Sequence, residues 1–226
     1  MRDCDVRPLL REQLRSSYDA DRSTIIIEEM GLCRGSVRVD IAVLNGNLKG
    51  YEIKSAQDTL TRLLAQAAVY NRIFDTMTVV VAERHLRAAS TMIPSWWGIQ
   101  VVIAPPSSSS LTIEHERHET NNPGVDPNSL VQLLWRDEAL RLLDQRNGLK
   151  SLRSKPRRVL WDALAQTVPV PELKDMVREC LKSRCRWRSG AQQTRGDETC
   201  RPSAMSSDSQ YQRVLPRSRR YIHRPN

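Results

Sequence analysis

Asp40, Glu52 and Lys54 stand in an order and spacing suited to phosphodiester hydrolysis. Val39-Asp40 is followed by Gly50-Tyr51-Glu52-Ile53-Lys54-Ser55, with 12 residues separating the two acids. Two carboxylates offer hard oxygen ligands to Mg2+ or Mn2+, which neutralises charge developing on a scissile phosphate. The backbone carbonyl of Ile53 can add a further ligand, and Lys54 beside the metal can orient or help deprotonate the attacking water. Residues two apart on a strand share a face, so Glu52 and Lys54 point one way and Ile53 the other, buried way. The ordinary alternative is a strand-edge ion pair of these acids with Lys54 or Arg38, worth about 0–1 kcal/mol when exposed.

Such side chains meet only if the chain doubles back between them. Val37 to Leu44 reads as a strand, Asn45-Gly46-Asn47 as a tight hairpin turn and Leu48 to Lys54 as the returning strand. Upstream, Val6, Leu9, Leu10 and Leu14 fall at helical spacing within residues 3–16, and Thr24 to Ile27 begins a strand that gives way to a turn over Gly31 to Gly35. Downstream, Asp58 is placed to cap a helix from Thr59 to about Phe74, with Leu60, Leu63, Leu64, Ala67, Ala68 and Ile73 as its apolar stripe. A strand at Met77 to Ala82, a helix over Arg84 to Met92 and a strand at Ile99 to Ala104 complete the pattern, with Trp96-Trp97 as a core plug. Helical crossovers favour parallel pairing after the hairpin, which predicts an α/β fold with a mixed sheet flanked by helices.

In this setting the Asp40, Glu52, Lys54 set resembles the signature of the PD-(D/E)XK nuclease superfamily, with Val39 in place of the proline. Gln66-Ala67-Ala68-Val69-Tyr70 is similar to the QxxxY element of the RecB-like branch, and the Tyr-Glu-Ile-Lys-Ser run and the Trp-Trp-Gly segment are similar to a group of small bacterial members. The resemblance covers residues 3–104. It implies a restriction-endonuclease-like core, Mg2+ or Mn2+ as cofactor, and Asp40, Glu52, the Ile53 carbonyl and an upstream acid, Glu29 before Glu28, as metal ligands. It also implies that Gln66, Tyr70 and Ser55 face the nucleic acid.

The rest of the chain divides by composition. Residues 1–106 form the expected core, 107–127 a linker or loop rich in Pro, Ser and Asn, 128–182 a small all-α segment, and 183–226 an Arg-rich tail expected to be disordered. The net charge of +9 is concentrated in that tail: ten arginines face three acids there, leaving 25 basic and 23 acidic residues in positions 1–182. Between Arg146 and Arg158, however, Arg146, Lys150, Arg153, Lys155, Arg157 and Arg158 occur without one acid. Lys150, Arg153, Lys155, Arg157 and Arg158 are therefore candidate phosphate contacts, with a solvated basic face as the plainer alternative. Leu149, Leu152, Lys155 and Leu160 distantly resemble a SAP-type helix-loop-helix.

The five scattered cysteines lack a CxxC pair and read as reduced thiols, and His115-x-x-His118 is no ligand set by itself. The N-terminus lacks the apolar stretch of a secretory signal, and no apolar run approaches the roughly 20 residues of a membrane span. A cytoplasmic protein acting on DNA is expected, with RNA as a further substrate class and a homodimer as a further state. The competing class is a catalytically inactive nuclease fold that binds nucleic acid or a protein partner.

Overall fold

The computed structural model describes residues 1–104, 110–146 and 152–184, all within one compact unit, Met1–Gln193. The first helix, α1 (Asp3–Ser17), is followed by strands β1 (Ile25–Leu32), β2 (Val37–Asn45) and β3 (Asn47–Lys54). Helix α2 (Leu63–Tyr70), strand β4 (Thr76–Ala82), helix α3 (Leu86–Met92) and strands β5 (Gly98–Ile103) and β6 (Thr112–Arg117) come next. Four helices close the described chain: α4 (Pro127–Leu130), α5 (Arg136–Gln145), α6 (Arg157–Thr167) and α7 (Val170–Ser183). The strands form one mixed sheet in sequence order, antiparallel from β1 to β3, parallel from β3 to β5, and antiparallel again at β6. This is the α/β sheet flanked by helices expected from the sequence.

Each sheet face has its own core. Val6, Leu10 and Leu14 of α1 pack on Ile41, Val43, Tyr51, Ile53, Val80 and Val102. The opposite face packs against α2, α3 and the C-terminal helices, so Leu130, Leu143, Leu164 and Val177 share a core with Val39, Leu48 and Val79. The helical segment is thus part of the same packing unit as the sheet. Asp75 joins the two: its carboxylate accepts from the Leu48 N–H (2.8 Å) and pairs with Lys174 (2.8 Å) and Arg178 (3.3 Å) of α7.

At the hairpin, Gly46 (φ 61°) lies between the paired Asn45 and Asn47, in a backbone region where a Cβ is costly. Gly50 meets a different demand, since a Cβ there would lie 2.2 Å from Met77 Sδ and 3.0 Å from the Phe74 ring. Gly50→Ala should therefore overpack the core and lower stability by about 1–3 kcal/mol. Chemical denaturation checks this, and an unchanged midpoint would refute it.

Several elements depart from the sequence expectation. Strand β1 continues to Leu32 instead of turning at Gly31, with Glu29 in a left-handed conformation (φ 53°). Asp58 does not cap a helix, because its Oδ2 already accepts from the Ser55 N–H (2.7 Å) and Ser55 Oγ (2.6 Å). Helix α2 consequently starts at Leu63, and Leu64 of the expected stripe is exposed. The 107–127 segment, read as a linker, contains β6, an edge strand whose polar surface hides the strand pattern. Arg184, assigned to the tail, is buried, paired with Glu138 (2.7 Å), donating to the Leu133 carbonyl (2.6 Å) and lying over the Trp135 ring. The remainder of the expected disordered tail, Cys185 and Cys200 included, lies outside the described residues, while Cys4, Cys33 and Cys180 are free thiols. Among the described residues no helix is long and apolar enough to cross a membrane.

Candidate active site

The β2–β3 ladder ends at Ile41 opposite Tyr51, and the next residues outward are Asp40 and Glu52. On the other side of β2, Glu29 falls between the pairs Glu28–Ile41 and Met30–Val39, which sets it opposite Asp40. Glu29, Asp40 and Glu52 therefore form a row across three strands. Beyond the end of the ladder, Asp40 Oδ2 reaches between the strands and accepts from the Ile53 N–H at 2.7 Å.

Glu52 and Lys54 are 2% and 5% exposed and share the face that the sequence predicts. Lys54 Nζ donates to Glu52 Oε1 (2.7 Å) and to Gln66 Oε1 (3.0 Å). Gln66 Nε2 donates to the same Glu52 oxygen (2.6 Å), and the Tyr70 hydroxyl donates to Glu52 Oε2 (2.7 Å). One helical turn separates Gln66 from Tyr70 on α2, so both reach the same carboxylate. Burial pushes the Glu52 pKa up, the negative charge of Asp40 pushes it further, and Lys54 and Tyr70 oppose the rise. A folded state that holds this proton more tightly than the unfolded chain gains stability below the ordinary value of 4.5. That gain is lost as the pH rises through the raised folded value.

The sequence placed Tyr70 and Ser55 against nucleic acid, and the structure puts both elsewhere. Tyr70 is fully buried, with its hydroxyl near Glu52 and 2.7 Å from the Arg38 carbonyl, and Ser55 is buried on Asp58. Gln66 is half-buried and engaged with Glu52 and Lys54. Gln66 and Tyr70 orient the Glu52 carboxylate, while Ser55 fixes the turn that follows β3 through Asp58. The expected basic surface is also altered: Arg146 pairs with Glu172, Arg153 with Asp144 (3.2 Å) and Arg158 with Asp162 (4.0 Å), while Arg157 stacks on Trp161. The acids missing from that stretch of sequence are supplied by α5, α7 and the interior of α6. Lys155 is exposed, and Lys150 lies outside the described residues.

Asp40 and Glu52 fit a divalent cation on the chemistry of their donors. Each Asp40 oxygen accepts one hydrogen bond, as does Glu52 Oε2, so all three keep a lone pair in hand. Mg2+ is commonly held by one or two carboxylates with water completing its shell. Glu29, the upstream acid of the expected ligand set, is engaged by cations in this state: its carboxylate pairs with Arg7 (3.0 Å) and Arg38 (3.7 Å). Among the described residues, no three His, Cys, Asp or Glu side chains come together as a ligand set, His115 and His118 included.

Sequence reasoning missed Arg7. Its guanidinium reaches Asp3, Glu29 and Asp40 at once. Burial disfavours its charge, but Asp3 and Asp40 outweigh burial and hold its pKa above the ordinary value. The available signal was a cation set between the buried Val6 and Leu10, four residues after Asp3.

A protein of unknown function from Silicibacter pomeroyi is similar in structure at a TM-score of 0.36 and 20% identity, over 63% of this chain and 87% of that one. Protein cII of Enterobacteria phage P4 is 33% identical over 99 residues, 44% of this chain and 37% of that protein, so the match spans little more than a third of the relative's length. The family model described as bacteriophage P4 protein cII matches residues 5–206. A match of that extent takes in the α1 arginine, the three strands of the acidic row and the C-terminal helices, and the chain belongs to the bacteriophage P4 protein cII family.

Proposed function

We propose that this chain is a metal-dependent phosphodiesterase that hydrolyses DNA, with Asp40 and Glu52 as carboxylate ligands and Lys54 at the attacking water. The buried Glu52–Lys54 pair beside Asp40 carries this reading. Two charges taken out of water cost several kcal/mol in desolvation, and apolar residues of like volume commonly stabilise a fold better. A fold that keeps such a pair at a strand end, next to a second carboxylate, has a reason other than stability.

Mg2+ or Mn2+, when bound, supplies Lewis-acid stabilisation of the developing phosphate charge. Gln66 and Tyr70 hold the Glu52 carboxylate in one orientation, and the Ile53 N–H does the same for Asp40. Lys54 has three N–H groups and gives two to Glu52 and Gln66, which leaves one for an incoming phosphate oxygen or water. The relative's name, protein cII, states no chemistry, so the proposal rests on the site alone.

The test is cleavage of plasmid, single-stranded DNA and RNA by the wild type and Asp40→Ala, with Mn2+ or with chelator. The expected result is cation-dependent nicking by the wild type, abolished by chelator and in Asp40→Ala. Equal cleavage by both proteins would expose a contaminant. No cleavage by either, with nucleic acid still bound, would favour an inactive fold used for binding.

A further inference from the structure

Among the described residues, Arg7 alone brings a guanidinium to both Glu29 and Asp40: Nη1 lies 3.0 Å from Glu29 Oε1 and Nη2 lies 2.9 Å from Asp40 Oδ1. The same group donates to the Asp40 main-chain oxygen (3.1 Å) and clasps Asp3 through Nε (3.0 Å) and Nη2 (3.2 Å). It therefore spans two neighbouring acids of the row and occupies one oxygen of Asp40, a carboxylate that a cation at the site would also need. We propose that Arg7 is a built-in counter-ion that competes with a divalent cation for Asp40 and Glu29, so that the site fills as Arg7 withdraws. This rests on the cation-site reading above.

Charge and geometry agree. Asp3, Glu29, Asp40 and Glu52 carry four negative charges against three positive ones on Arg7, Arg38 and Lys54, an excess of one. Removing the Arg7 charge leaves an excess of two and also takes away the repulsion between guanidinium and metal, which share an oxygen neighbour. It further frees Glu29, whose other tie is the longer contact to Arg38 (3.7 Å). Withdrawal has a route, because Asp3 lies one turn earlier on the same helix with a side chain 43% exposed. Arg7 can turn outward on Asp3 without losing every partner. Closed, the arrangement offsets the repulsion between the part-exposed Asp40 and Glu29 carboxylates while no cation is present.

The experiment is calorimetric titration of Mn2+, without nucleic acid, into chelator-stripped full chain carrying Arg7, Arg7→Gln, Arg7→Lys or Asp40→Ala. Arg7→Gln should bind Mn2+ roughly tenfold more tightly than the wild type, since one repelling charge is gone. Arg7→Lys should fall between them, because a point charge cannot bridge two carboxylates as the planar fork does. Asp40→Ala should not bind. Equal or weaker binding by Arg7→Gln, with its circular dichroism unchanged, overturns the competition while leaving the cation site standing. Absence of Mn2+ binding in every protein overturns both. If Arg7→Gln does not fold, Arg7→Lys decides: affinity at or below that of the wild type refutes the proposal.

Discussion

Lys54→Met should cut DNA more slowly than the wild type by about a hundredfold or more, the usual size of a lost proton-transfer or charge-stabilising group. Methionine keeps the apolar stem and removes the ammonium, so the end of β3 stays packed. A purely structural Lys54 would leave cleavage per folded molecule nearly unchanged. A second readout separates the roles further. Burial and Asp40 raise the Glu52 pKa and Lys54 counteracts them, so removing Lys54 lets that value climb. Metal ligation needs the ionised form. The acid limb of the wild-type pH profile should therefore lie above 4.5, and that of Lys54→Met should move to higher pH still. A shift toward acid in the variant would contradict the assigned environment of Glu52.

Asp75→Ala should be the most destabilising single change away from the site. The carboxylate is 7% exposed as a residue and satisfies the Leu48 N–H, Lys174 and Arg178 together. Removing it strands a buried amide and leaves Lys174 without its carboxylate. Breaking one side of a buried pair costs about 3–5 kcal/mol. Arg178 retains Asp175, which places the expectation toward the lower end of that range. Urea denaturation of the variant measures it, and a loss under about 1 kcal/mol would show that the joint contributes little.

Much of the sheet was legible because its signals are local. Asn45-Gly46-Asn47 specifies a tight turn, and the Val-rich β4 and β5 have no polar face to confuse the reading. Asp40, Glu52 and Lys54 were legible for the same reason, since strand alternation and one hairpin suffice to place them. What escaped depends on partners distant in sequence. Arg7 meets Asp40 across 33 positions, and nothing near either residue announces the pairing. Strand β6 shows no apolar alternation because β5 covers one edge of it and little covers its surface. Tyr70 was expected at the surface because helical spacing tells which residues share a side, not whether that side is buried. Within the basic run, Arg146 and Arg153 meet Glu172 and Asp144 of other helices, pairings that no residue inside the run announces.

The Asp75–Arg178 pair joins residues 103 positions apart. A ribosome adding about 5–20 residues per second takes roughly 5–20 s to cover such a distance. During that interval Phe74 and Met77 are already made, whereas the α7 side chains that share their core are not. The nascent chain therefore carries an apolar sheet face for some seconds before the last of its cover is made.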